Sequence, residues 1–385
     1  MKVLLSSCFH WWNAEAAYAA AVAEGLLRAG HDVRVWTQAG TRNEAELRAR
    51  GLPLLAGLPP ATASPRHWPG LLRALAALNR RERFDVVNVF RSPEFPFHLL
   101  AGRGPGAPAL VRTRGSARPV RGHWLNRRLY GRWCAGVIAP AQVARRALED
   151  GLGLAPERVR TIYYPVELPP LPPAEVRRAR RQALVAELKL PPDGLLLGLV
   201  GRIAPEKGHG LLLEALAQVL PRHPWATLLV FAKSYPGEDT DRPLLQARAE
   251  ALGVAGSVRW LGFRDDMRQV MGCLDVGVVP SVASEIICRV AVEFLAAGTP
   301  VVACPTGALG EVVEDGVSGA VARDASPAAL AEALEPLLSD RALRERLARG
   351  ARRRAEERFS QDHFLRETLA AYANARAGRP LGAVP

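Results

Sequence analysis

The residues best equipped for chemistry stand in two clusters in the second half of the chain. In the first, Gly201-Arg202-Ile203-Ala204-Pro205-Glu206-Lys207-Gly208 follows the apolar run Leu195 to Val200 and precedes a helical pattern. A continuous apolar run of that length reads as a buried parallel strand, and a loop between such a strand and a helix lies at the carboxyl end of its sheet, where α/β proteins bind ligands. Glycines, a helix N-terminus and two fixed cations, Arg202 and Lys207, make a donor set suited to a diphosphate. Taken alone, the loop reads more readily as an ordinary connection with solvated cations. In the second cluster, Pro280-Ser281-Val282-Ala283-Ser284-Glu285 follows the strand Asp275 to Val279, and Glu293 stands eight residues beyond Glu285 in a helical stretch. Carboxylates accept paired hydrogen bonds and so suit sugar hydroxyls. Glu285 can hold a sugar and Glu293 a ribose, while backbone N–H groups of residues 286 to 290 at the positive helix end hold phosphate oxygens. The alternative is two surface glutamates near a helix–strand junction.

These clusters need a framework, and the chain supplies it by alternating short apolar runs with longer helical patterns, the signature of parallel sheets covered by crossover helices. In the first half the expected strands are 2–7, 32–37, 85–90, 109–113, 136–140 and 159–163. The first helix has Asn13 as N-cap and Gly30 where a left-handed C-cap is wanted. A proline-dense stretch from Pro165 to Pro192 surrounds an arginine-rich helix and is expected to be a linker or hinge. The alternation restarts at 195–200, 226–232, 257–261, 275–279, 300–303 and 319–321, then turns helical to about Ala375 with a break near Phe359, and ends in a Gly/Pro tail, 378–385, expected to be loose. The predicted fold class is α/β, with domains at 1–168 and 193–358, a linker region at 169–192, and a final segment, 359–385, crossing back to the first domain.

Composition narrows the function classes. With 385 residues, about half apolar, the chain can bury two cores. Five scattered cysteines form neither a disulfide framework nor a zinc site, which points to a reducing compartment. No run of 18 apolar residues occurs and the N-terminal strand-like run is too short for a signal h-region, so the expected location is cytoplasmic, with the cytoplasmic membrane face as a candidate surface. The net charge of +13 is unevenly placed: from Phe95 through Leu148 there is no acidic residue and there are ten arginines. Nucleic acid, an anionic membrane face and a phosphorylated substrate all fit such a field, as does a merely solvated arginine-rich surface.

Four motifs in order carry a more specific message: Gly201-Arg202-x4-Lys207-Gly208, Glu285-x7-Glu293, Ala297-Gly298-Thr299-Pro300-Val301-Val302, and Gly310-Glu311-Val312-Val313-Glu314-Asp315-Gly316. Together they resemble the donor domain of the retaining glycosyltransferase family 4, a match that covers about Leu195 to Val321. The resemblance implies the GT-B fold, two Rossmann-like domains facing each other across a cleft. It further implies sugar transfer with retention from a UDP- or GDP-sugar to a glycan or glycolipid acceptor, phosphorylated or not, in lipopolysaccharide or other cell-surface polysaccharide synthesis. The expected partners are then the nucleotide sugar, the acceptor and a candidate inner-membrane surface, with no nucleic acid and no required metal or other cofactor. By the same resemblance, Gly201, Arg202, Lys207, Glu285, Ile287, Cys288, Arg289, Val290 and Glu293 bind the donor. Arg202 and Lys207 grip the diphosphate, Glu293 the ribose and Glu285 the transferred sugar. Where the family has Gly-Phe-Gly after the first glutamate, this chain has Ile286-Ile287-Cys288-Arg289, which leaves the donor sugar open.

The first half departs further. Ser6-Ser7-Cys8-Phe9-His10-Trp11-Trp12-Asn13 replaces the family's glycine-rich loop, and Arg114 stands where the family often places a histidine. Arg114 is therefore a catalytic candidate beside Glu285, Arg202 and Lys207. His10, Trp11 and Trp12 form a stacking platform for an acceptor or simply pack; Arg112, Arg114 and Arg118 bind an anionic acceptor or form a solvated loop. Trp124, Leu125, Leu129 and Trp133 can share a helical face, expected to look into the core rather than to a membrane interface. Asp239-Thr240-Asp241 and Gly102-x-Gly104-x-Gly106 are read as a surface loop and as no dinucleotide fingerprint, respectively. A nucleotide-sugar epimerase of similar fold and a non-catalytic nucleotide-sugar-binding protein are the rival readings.

Overall fold

The computed structural model describes residues 1–55, 58–59, 65–104, 106–116, 118, 120–232, 241–283 and 285–383. Asp239, Thr240 and Pro105, each part of a motif considered above, lie outside them. The chain forms two compact units: 1–165 together with 361–385, and 166–360.

The first unit is built on a seven-stranded parallel sheet comprising β1 (Lys2–Ser6), β2 (Asp32–Trp36), β3 (Leu54–Leu55), β4 (Val86–Val89), β5 (Ala109–Thr113), β6 (Gly136–Ala139) and β7 (Val159–Thr161) in the order β3-β2-β1-β4-β5-β6-β7. β3 is a two-residue edge strand paired to Val35 and Trp36; so short a run carries no periodicity, and the sequence gives no sign of it. The first helix, Ala14–Arg28, starts on Asn13, whose side chain accepts from Ala16 N–H at 2.8 Å, and ends with Gly30 at φ 76°. The final helix, Gln361–Arg376, belongs to this unit. Tyr372 accepts from Asn88 Nδ2 at 2.8 Å, Phe364 meets Tyr18 edge-on at 5.2 Å, and Glu367 pairs with Arg160 at 2.9 Å. The segment after it is not loose through residue 383. Leu381 is fully buried, its carbonyl accepts from Arg160 at 2.9 Å, and Gly382 N–H donates to Glu157 O at 2.8 Å. An apolar side chain and two backbone anchors outweigh the local Gly/Pro signal.

The second unit is a six-stranded parallel sheet, β8 (Leu195–Val200), β9 (Ala226–Ala232), β10 (Val258–Gly262), β11 (Val276–Val279), β12 (Val301–Ala303) and β13 (Gly319–Val321), in the order β10-β9-β8-β11-β12-β13. Leu197, Leu199, Leu228 and Val278, with Leu212 and Leu216 of helix His209–Val219 and Leu330 and Leu334 of helix Pro327–Ser339, form one buried cluster. Strand direction and helix cover are thereby fixed together. The proline-dense segment joins this unit and is not a free linker. Its helix, Ala174–Glu187, buries Leu184 and Val185, and Arg181 donates to Cys273 O, Gly194 O and Asp275 Oδ2 at 2.6 to 2.8 Å. Prolines kept the flanks extended; the arginine anchored the helix.

Both sheets are doubly wound, and each reverses direction between two adjacent strands, β1/β4 in the first unit and β8/β11 in the second. The loops leaving those strand ends are neighbours by topology. That is how Gly201 to Gly208 and Pro280 to Cys288, some eighty residues apart, come together.

Candidate functional site

In the second unit the two switch-point loops are tied backbone to backbone: Val282 N–H donates to Glu206 O at 2.9 Å. Gly208 has φ 70°, and a Cβ there would lie 1.9 Å from Pro280 O, so only glycine permits the approach. On this frame Lys207 Nζ bonds Glu285 Oε1, which also accepts from Ser281 Oγ at 2.8 Å. Glu285 and Ser281 are buried. The carbonyl of Glu285 accepts from Ala308 N–H at 2.6 Å, and Gly307, at φ 59°, makes room for it, since a Cβ would fall 1.9 Å from that oxygen. Glu285 is thus held at both ends, its carboxylate aligned by an ammonium and a hydroxyl.

Cys288, at φ 50°, turns the chain into helix Arg289–Ala296. Val292 N–H donates to Cys288 O at 3.1 Å, and the N–H groups of Val290 and Ala291 lie in the first turn at the helix's positive end. Arg289 Nε pairs with Glu293 Oε1 at 2.7 Å, and Arg202, more than half exposed, pairs with Glu206 at 3.2 Å. Ile286, Ile287 and Cys288 are buried beneath the turn, and burial, with the Glu285 charge adding to it, pushes the Cys288 thiol well up. The structure therefore brings Lys207 and Glu285 into contact and pairs Arg289 with Glu293.

Three groups here escaped the sequence reading. Ser281 and Gly307-Ala308 act only through Glu285, a partner visible in three dimensions. His209 opens helix His209–Val219, buried, with neither ring nitrogen hydrogen-bonded; burial, reinforced by the Lys207 charge, takes its imidazole down to about 4. It stays neutral beside the lysine.

The first unit is organised differently. Arg112 is 3% exposed and Arg114 7% exposed. Arg112 donates to Val89 O at 2.8 Å and to Thr113 O; Arg114 donates to Ser116 O and Arg118 O. Burial lowers the Arg114 guanidinium from its ordinary value. Arg112 ties the ends of β4 and β5 together and Arg114 fastens the turn that follows β5; of the three candidates only Arg118 is exposed. Glu15 lies against the same turn, accepting from Gly115 N–H at 3.0 Å. After β1, His10 and Trp11 are exposed, Trp11 by 69%, whereas Trp12 lies under the Arg50 guanidinium at 5.0 Å. The expected core-facing stripe breaks. Helix Trp124–Arg128 passes into a π-helical turn, Leu129–Trp133, which rotates the later residues, so Leu129 is buried while Trp124 is 67% exposed beneath Arg128.

Comparison with known proteins follows this division. Residues 16–168 match the model for Glycosyltransferase Family 4 and residues 180–354 that for Glycosyl transferases group 1. A D-inositol 3-phosphate glycosyltransferase of Acidothermus cellulolyticus is 32% identical over 397 residues, covering 94% of this chain and 86% of that protein. The chain belongs to glycosyltransferase family 4. A relative of the same name from Salinispora arenicola is 36% identical over 248 residues, 63% of this chain and 55% of the relative; that match spans about half of the relative's length. Among solved structures, HepE of Anabaena in complex with UDP superposes with a TM-score of 0.82 at 22% identity, over 97% of this chain and 100% of that one. The architecture is GT-B, with two Rossmann-like domains. Among the described residues no helix is long and apolar enough to cross a membrane.

Proposed function

We propose that the chain is a retaining glycosyltransferase that moves a sugar from a UDP- or GDP-sugar to a hydroxyl of a phosphorylated, polyhydroxylated acceptor. The observation that carries the reading is the Lys207–Glu285–Ser281 cluster at the β8/β11 switch point. Donor phosphates compete for the Lys207 ammonium, which releases Glu285 to accept from hydroxyls of the sugar. As the glycosidic bond of the donor breaks, negative charge grows on the departing diphosphate. Lys207, Arg202 and the N–H groups opening helix Arg289–Ala296 stabilise it there without a metal ion. Glu293 accepts from the ribose hydroxyls once Arg289 yields one carboxylate oxygen.

The relatives' printed name and the acid-free stretch 95–148 favour a phosphorylated polyol over a lipopolysaccharide glycan as acceptor, with Arg118 as the exposed cation nearest the β5 turn. Purified protein incubated with UDP- and GDP-sugars and inositol phosphates provides the test. Glu285→Gln and Lys207→Ala are each expected to lower transfer by about a hundredfold or more, with EDTA leaving the rate unchanged. Transfer that survives both substitutions overturns the site, and donor conversion without acceptor replaces transfer by epimerisation.

A further inference from the structure

The first unit also contains a cavity of about 410 Å3 at the opposite end of its sheet from the loops described above. Ala109, the first residue of β5, and Ala135, just before β6, mark this as the amino end of the strands. Three polar side chains line it. His98, on helix Phe95–Ala101, is 2% exposed, and neither of its ring nitrogens has a hydrogen-bond partner. Its ring meets Trp36 edge-on at 5.4 Å. Among the described residues Arg132 has no ion-pair or hydrogen-bond partner, and Arg103 rests over the Trp133 ring at 5.7 Å. Among the described residues no carboxylate lines the cavity.

Such an arrangement is costly as it stands. A buried donor and acceptor without partners lose the free energy of their hydrogen bonds to water, and two like charges share a concave wall. Burial takes the His98 imidazole down to about 3, so at neutral pH it presents one N–H donor and one bare nitrogen acceptor. The two nitrogens face different ways, so two partners are needed, one accepting and one donating; a ligand with several hydroxyls offers both kinds, whereas an anion with only acceptor oxygens offers one. Arg103 and Arg132, exposed at the cavity's rim, favour a negatively charged ligand, and guanidinium donors match phosphate oxygens. The volume lies in the range of small-molecule sites. We propose that this cavity is a second ligand site, lined by His98, Arg103, Arg132 and Trp133, for a hydroxylated organic phosphate of sugar-phosphate size.

Calorimetric titration of the full chain with glucose 6-phosphate, inorganic phosphate and glucose, in saturating UDP to occupy the proposed donor site, tests the inference. Glucose 6-phosphate is expected to bind about tenfold or more tightly than either fragment, and Arg132→Ala to weaken it by about tenfold, the worth of one charge-assisted hydrogen bond. Arg132 is exposed, so its removal leaves the fold and UDP affinity unchanged. Arg118→Ala separates this site from the proposed acceptor site: binding lost in Arg118→Ala but kept in Arg132→Ala overturns the proposal. So does inorganic phosphate binding as tightly as the sugar phosphate, or no heat at about 10 mM ligand, which would leave His98 satisfied by water alone. Failure here leaves the Lys207–Glu285 reading untouched, because the donor site lies in the other unit.

Discussion

The two units share one sheet topology yet use their charges in opposite ways. In the second, the cations at the switch point pair with carboxylates: Lys207 with Glu285, Arg202 with Glu206, Arg289 with Glu293. Each pair is partly exposed at its cationic end, and a cation held by a carboxylate can exchange it for a phosphate at small net cost, since one charge-assisted bond replaces another. In the first unit Arg112 within β5 and Arg114 just after it donate to backbone carbonyls and are buried. A guanidinium so placed builds a loop and is not released by a ligand. At these two loops the same residue type is therefore paired with an exchangeable carboxylate in one unit and fastened to backbone in the other, and burial together with the nature of the acceptor decides which.

The glycine frame of the second unit is the harshest place to attack the comparison. Gly307→Ala puts a Cβ at 1.9 Å from the Glu285 carbonyl oxygen, at a φ of 59°, and that neighbour is backbone and cannot rotate away. Destabilisation of about 3 kcal/mol is expected, together with loss of nucleotide binding, read by urea denaturation and titration with UDP. A stable variant that still binds UDP would mean that the frame is not what sets Glu285.

Next in size is a pH effect at the same site. His209 has its folded value lowered to about 4 from an unfolded value of about 6.5. Between these values the unfolded chain binds more protons, so stability is complete above about 6.5 and falls as pH drops toward 4, by on the order of 3 kcal/mol. The gap in unfolding free energy between the native chain and His209→Gln is expected to narrow across that window and stay constant from pH 7 to 8. A gap independent of pH would show the imidazole titrating normally.

Arg114→Ala addresses the first unit. Removing its guanidinium leaves the carbonyls of Ser116 and Arg118 without their donor, and about 2 kcal/mol of stability is expected to go, with the UDP affinity of the other unit unchanged. Arg118→Ala is expected to cost less than about 0.5 kcal/mol while raising the acceptor KM. Equal stability for the two variants would dissolve the distinction between architectural and exposed arginines.

How far these features could be read from the chain itself varied with the range of the interaction. Strands announced themselves as apolar runs because parallel sheets bury both faces, and the Gly201 to Lys207 loop and the Glu285/Glu293 pair were visible as local spacing. The edge strand Leu54–Leu55 was too short to leave a pattern. Trp124 and Leu125 share a face with Leu129 and Trp133 only on one continuous helical wheel, and the chain switches from α to π between them. Nothing in the residue types of Arg112 and Arg114 says whether a guanidinium will meet a carbonyl or a phosphate. Ser281, Ala308 and His98 acquire meaning only from partners, or missing partners, supplied by distant segments.

The smallest expected effect tests how tightly the second unit constrains the turn that opens helix Arg289–Ala296. Cys288 occupies a left-handed position, φ 50°, that costs a non-glycine residue about 1 kcal/mol. Its thiol is buried and donates to Glu285 O at 3.7 Å. Cys288→Gly removes the strain but adds backbone entropy to the unfolded chain, about 0.5 to 1 kcal/mol, and gives up the small area the thiol covers. The terms nearly cancel, so a change in stability below about 1 kcal/mol is expected, with UDP affinity altered less than about threefold. Cys288→Val, β-branched at the same φ, is expected to lose about 2 kcal/mol and to weaken UDP, because valine resists the left-handed region far more strongly. If the valine variant matches the native chain in denaturation and UDP titration, backbone conformation at residue 288 does not govern the turn, and the contrast between a conformationally set second unit and a side-chain-fastened first unit fails at its finest point.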